Sequence, residues 1–114
     1  LLMKRAVEPN IGKWVVPGGR VELYETVDQA CLRETKEETG LDVKIEKRLG
    51  IFDSPKRDTR GNIAVAYLCS GKGKPRLSSE GSEFKLFEPD KLPENIGFDH
   101  REMLEAAKKF MKKR

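Results

Sequence analysis

The chain has 114 residues, enough for one domain and too few for two. Apolar and charged residues each make up 37%, and the mean hydropathy is −0.64, so a modest core sits under a heavily charged surface. No apolar run approaches the ~20 residues of a membrane span, and Leu1-Leu2-Met3-Lys4-Arg5 is too short for a secretory leader. A cytoplasmic protein away from membranes is therefore expected. Cys31 and Cys69 form neither a metal-type pair nor a disulfide framework and read as reduced structural thiols. The net charge is +4, but Lys108, Lys109, Lys112, Lys113 and Arg114 crowd the last seven positions. Cations there suit the C-terminal end of a helix, so no nucleic-acid partner is expected.

In chain order, Leu1 to Lys4 reads as a strand, and Lys13-Trp14-Val15-Val16 as a second extended run stopped by Pro17-Gly18-Gly19. Glu25 to Thr39 reads as a helix with Val27, Ala30, Cys31 and Thr35 on its buried face, closed by Gly40. Leu41 to Phe52 is a long extended stretch with room for a bend, and Asp53 to Gly61 a polar loop. Ile63 to Cys69 is nearly all apolar and is expected to be a strand buried on both faces. Ser70 to Ser82 is a Gly- and Ser-rich loop, Phe84 to Phe87 a strand, and Pro89 to Leu92 a short turn. From Asp99 onward Met103, Leu104, Ala107, Phe110 and Met111 make the apolar stripe of a last helix. These elements describe a single α/β domain over residues 1–114.

Glu34, Glu37 and Glu38 stand at i, i+3 and i+4, so the predicted helix crowds three carboxylates on one patch. Like charges at that spacing cost roughly 0.2–0.5 kcal/mol per pair. Arg33 reaches Glu37 at i+4 and is within range of Glu25, but one cation does not neutralise three acids. A hard divalent cation with oxygen ligands, Mg²⁺ or Mn²⁺, fits the charge and the spacing, and Gly18-Gly19 lets a backbone carbonyl approach as a further ligand.

Gly19, five residues, Glu25, seven residues, then Arg33-Glu34-Thr35-Lys36-Glu37-Glu38-Thr39-Gly40-Leu41 resembles the Nudix box. Thr35 departs from it, standing where the family carries a bulky apolar residue. The resemblance implies an α/β/α sandwich with a mixed β-sheet and a loop–helix–loop catalytic motif. It implies hydrolysis of a nucleoside diphosphate linked to another group, with metal held by Glu34, Glu37, Glu38 and the Gly18 carbonyl. Arg33 and Glu37 belong to the catalytic set on this reading, while Gly19, Glu25 and Gly40 hold the box in shape. Such members begin with a further strand before Leu1–Arg5; either the chain is naturally short or a piece precedes it. A homodimer is left open.

Ser54-Pro55-Lys56-Arg57-Asp58-Thr59-Arg60-Gly61 and Phe98-Asp99-His100 resemble the ADP-ribose pyrophosphatase subgroup. That implies conversion of ADP-ribose and water to AMP and ribose 5-phosphate. Arg57, Asp58 and Arg60 become candidates for substrate contacts, because guanidinium groups bind phosphate oxygens in pairs. Trp14, Phe52 and Phe98 are candidates for stacking on adenine, with the core as the alternative. His100 reads as structural. The general base is expected before a late strand, at Glu83 or Glu80. Two other readings stay open: a Nudix hydrolase of non-standard nucleoside triphosphates, and a domain that senses ADP-ribose without cleaving it.

Overall fold

Leu2–Arg5 (β1) is the central strand of a three-stranded antiparallel sheet, with Trp14–Val15 (β2) on one side and Gly81–Lys85 (β5) on the other. These and the remaining elements come from a computed structural model that describes residues 1–76 and 81–112. The central place of β1 follows from its composition, since Leu2 and Met3 are fully buried together with Val15 of β2. Met3 pairs with Val15 and Phe84, and Lys4 with Trp14 and Glu83. Gly81 pairs with Arg5 past a register shift, and a Cβ there would lie 2.6 Å from Met3 Sδ. A parallel bridge between Trp14 and Ile96 gives the sheet its mixed character.

Val43–Phe52 (β3) and Ala64–Gly71 (β4) form a separate antiparallel ribbon. The bend allowed for in β3 takes the form of two register shifts, between Ile45 and Lys47 and between Arg48 and Gly50. Two strands alone are marginally stable, and both helices, Val27–Thr39 (α1) and His100–Lys112 (α2), pack against β3. The result is an α/β fold in which sheet structure is flanked by two helices. Among the described residues no helix is long and apolar enough to cross a membrane.

Several expectations need correction. The 63–69 strand is not buried on both faces: only Ala66 is buried, and Ile63 lies outside the strand at 68% exposure, because β4 pairs within a ribbon instead of inside a wide sheet. The late strand starts at Gly81, earlier than Phe84, so Glu83 belongs to the strand and not to a preceding loop. Helix α1 begins after Glu25: Thr26 is its N-cap and forms a capping box with Gln29. Glu25 instead closes a turn by donating its N–H to Glu22 O. Cys31 in α1 and Cys69 in β4, free thiols far apart in sequence, have their Sγ atoms 3.9 Å apart.

Gly40 ends α1 at φ 77° with its N–H on Lys36 O. A side chain in this left-handed conformation costs about 1 kcal/mol. Its Cβ would meet only the flexible side chain of Arg76. Gly40→Ala is expected to lower the unfolding free energy by about that amount, read as a shifted midpoint at unchanged slope in urea.

Candidate functional site

The guanidinium of Arg33 organises the polar face of α1. Its Nε and Nη2 donate to the two oxygens of Glu25 at 2.6 and 2.9 Å. Nη1 donates to Glu34 Oε1 at 2.7 Å and Glu37 Oε2 at 3.0 Å, and Nη2 also reaches Arg20 O at 2.8 Å. Starting the helix at Val27 is what lets Glu25 fold back beside Arg33, one turn beyond ordinary i+4 reach. The guanidinium holds the Glu25 carboxyl below the usual carboxylate range, and the carboxylates hold Arg33 firmly protonated.

Behind this network runs the segment Val16-Pro17-Gly18-Gly19. Glu38, 7% exposed at the end of α1, accepts the Gly18 N–H at 2.9 Å. A Cβ at Gly19 would lie 2.0 Å from Glu34 Oε2, so only glycine brings the backbone this close to the carboxylate. At the other end His100, the first residue of α2, accepts the Val16 N–H on Nδ1 at 3.0 Å. Nδ1 can accept only while unprotonated. Burial pushes the imidazole down to about 4, with Arg57 and Arg5 adding to the shift and Asp99 and Asp58 opposing it.

Glu34 and Glu38 thus lie against the glycine segment, and Glu37, between them on the helix, turns to Arg33. Among the described residues no three acidic, thiol or imidazole groups converge at ligand distance, because Glu34 and Glu37 turn toward Arg33 and Glu38 toward Gly18. The chemistry of the set nevertheless fits a hard divalent cation. Every donor is an oxygen, the glycine opens the approach to Glu34, and Arg33 engages only one oxygen each of Glu34 and Glu37.

The residues expected on the substrate side are divided by the structure. Arg57 forms a two-pronged pair with Asp99 at 2.8 and 2.9 Å and donates to Asn62 O, leaving its side chain 5% exposed. It clamps the 53–61 loop to the start of α2 and presents no free fork. Buried Asp58 takes two bonds from the Arg60 side chain and one from its backbone, and this partner holds its carboxyl far below the usual range. The Arg60 guanidinium also lies 5.5 Å from the ring of Phe98, whose φ is 52°. Trp14 is buried at 7% and meets Phe87 edge-on, which places it in the core. Phe52 is half-buried at the end of β3.

A cleft of about 370 Å³ is lined by Arg57, Asp58 and Phe98 together with Lys13, Lys56 and Asn10. Sequence reasoning did not single out Lys13 or Lys56, since Lys13, before β2, and Lys56, inside the motif loop, are brought together only by the fold. Glu83 is exposed in β5 opposite Lys4. Among the described residues no hydrogen bond or ion pair joins it to the α1 acids. Glu80 lies outside the described residues.

Comparison with known proteins agrees with this geometry. The NUDIX domain family matches residues 1–107. An ADP-ribose pyrophosphatase of Methanocaldococcus jannaschii is 39% identical over 106 residues, covering 91% of this chain and 62% of that protein. The ADPR responsive transcriptional repressor NtrR of Acinetobacter baylyi is 32% identical over 114 residues, covering 94% of this chain and 45% of the repressor. The chain therefore spans less than two thirds of these relatives. The crystal structure of a MutT NUDIX hydrolase from Burkholderia pseudomallei superposes with a TM-score of 0.80 at 31% identity, over 92% of this chain and 84% of that one.

The buried imidazole gives stability a defined pH dependence. Unfolded, His100 titrates near the ordinary 6.5; folded, near 4. Between these values only the unfolded chain takes up the proton, so this group makes stability fall as pH falls, by up to about 1.4 kcal/mol per unit, with little contribution to the slope above 6.5. Urea titrations at pH 7.0, 5.5 and 4.5 are expected to show that slope in the natural protein and a shallower one in His100→Phe, where only the depressed carboxyls such as Glu25 and Asp58 still contribute.

Proposed function

The chain belongs to the Nudix family, and from that premise we propose that it is a divalent-metal-dependent hydrolase of a nucleoside diphosphate linked to another moiety, with ADP-ribose as substrate. The observation that carries the proposal is the α1 acid face, with Glu34 and Glu37 held by Arg33 and Glu38 bonded to the Gly18 N–H. Two relatives named for ADP-ribose, one a pyrophosphatase and one a repressor, support the substrate.

Glu34, Glu37 and Glu38, with the Gly18 carbonyl, are the residues that would hold Mg²⁺ or Mn²⁺. When bound, such a cation offsets diphosphate charge and lowers the pKa of water. Arg33 and Glu25 fix the helix face before substrate arrives, so little reorganisation is needed during reaction. Lys13 and Lys56, at the cleft beside Phe98, supply positive charge for the phosphates or the terminal ribose phosphate half. Arg60 remains a candidate contact at 43% side-chain exposure, its guanidinium already oriented by Asp58. Water attacks one phosphorus, the bridging P–O bond breaks, and AMP and ribose 5-phosphate leave. Glu83 and Glu80 are the candidates for taking the water proton.

Glu38→Gln is expected to keep the fold and to lower kcat by at least about 100-fold, because the uncharged amide has one acceptor oxygen, already taken by the Gly18 N–H, and its NH2 does not ligate a hard cation. Unchanged turnover at saturating Mg²⁺ would remove Glu38 from the metal set. Glu83→Gln and Glu80→Gln, assayed in parallel, are expected to differ by at least about 100-fold if one of them is the base.

The substrate is tested by a panel of ADP-ribose, dinucleotides, nucleotide sugars and nucleoside triphosphates with Mg²⁺ or Mn²⁺. AMP released preferentially from ADP-ribose is the expected result. Preference for a triphosphate would transfer the protein to the class that removes non-standard nucleotides. Tight ADP-ribose binding without turnover would make it a sensor.

A further inference from the structure

The segment between β2 and the turn before α1 has an uncommon accounting of backbone donors. Pro17 carries no N–H. The two amides flanking it, Val16 N–H and Gly18 N–H, are each taken by a side chain from a different helix: His100 Nδ1 at 3.0 Å and Glu38 Oε2 at 2.9 Å. The three residues are therefore slung between the start of α2 and the end of α1, with no sheet ladder to hold them beyond Val15. On the α2 side the anchor is itself built in. Gly97 N–H donates to Trp14 O at 2.8 Å, Trp14 N–H to Asn95 O at 2.9 Å, and Arg57 holds Asp99 by two bonds.

We propose that His100 is a positioning residue for the Gly18 segment: by accepting the Val16 N–H it sets where the Gly18 backbone stands relative to the acid face of α1. It touches neither substrate nor reacting atoms and acts through Val16 and Pro17. The inference rests on the reading of Gly18, Glu34, Glu37 and Glu38 as the metal-holding set. It explains why the only histidine of the chain is placed with an unprotonated nitrogen 84 residues away from its partner. It also gives Phe98-Asp99-His100 a task. Asp99 secures the 53–61 loop through Arg57, and His100 secures the glycine segment, so one short stretch sets the distance between substrate side and metal side.

Two substitutions separate positioning from mere packing. His100→Phe keeps a flat ring beside Phe98, whose centroid is 5.2 Å from the imidazole, and deletes the acceptor. His100→Asn loses the ring and keeps an acceptor at about the place of Nδ1. Mn²⁺ binding to the full chain, read by electron paramagnetic resonance of free Mn²⁺, is measured with kcat and KM for ADP-ribose, below each variant's melting temperature. The expected result is Mn²⁺ affinity and kcat about 10-fold or more lower in His100→Phe with KM little changed, and both within about threefold of the natural protein in His100→Asn.

Folded His100→Phe with undiminished Mn²⁺ affinity and kcat would overturn the proposal, whatever its melting temperature. If His100→Phe does not fold, His100→Asn decides: folded protein that has lost Mn²⁺ affinity overturns it, and retained affinity supports it. Natural protein that binds no Mn²⁺ and cleaves no diphosphate would remove the metal-site reading first, and this inference with it.

Discussion

Arg33 distributes its guanidinium donors over Glu25, Glu34, Glu37 and the Arg20 carbonyl, and the rest of the site takes its shape from that distribution. An acid cluster on a helix repels itself, and a cation inside the cluster turns repulsion into order only if it meets several acids at once. A planar fork does this; a lysine, a single point of charge, does not. Exposed ion pairs are individually worth roughly 0–1 kcal/mol, but here one cation is shared among four acceptors and is itself only 22% exposed. The turn at 20–25 and the helix are thereby fixed together.

A second set of charges does comparable work at the opposite helix. Arg57 and Asp99 are almost withdrawn from water and satisfy one another, so removal of either would strand a buried charge. Asp58 and Arg60 form a more local pair within the loop. Residues that resemble a substrate-reading motif are thus largely occupied in giving the loop its conformation. Lys13 and Lys56 line the cleft beside them.

The legible parts of the sequence were those governed by local rules. The α1 periodicity, Gly40 at its end, the acids at i, i+3 and i+4, and the apolar stripe of α2 all depend on residues within two turns of each other. The contacts that were not legible join distant partners. Arg57 meets Asp99 across 42 positions, Cys31 meets Cys69 across 38, and His100 meets Val16 across 84. No spacing announces such pairs. The burial of Glu38 was hidden for the same reason, since its partner is a backbone amide twenty residues earlier. An apolar run as strong as Ile63–Cys69 suggested full burial, but burial depends on how many neighbours a strand receives, and β4 receives one.

Phe98 carries a consequence of its own. Its φ of 52° is a conformation that a bulky L-residue avoids, and holding it costs roughly 1–3 kcal/mol. The turn is kept by what surrounds it: Gly97 bonded to Trp14, His100 N–H on Gly97 O, and Asp99 gripped by Arg57. Tension is therefore stored at the junction between the Arg57–Asp99 pair and the end of β2. The shape of this junction belongs to its anchors and not to its own preference, and a free peptide spanning it would relax to a different turn.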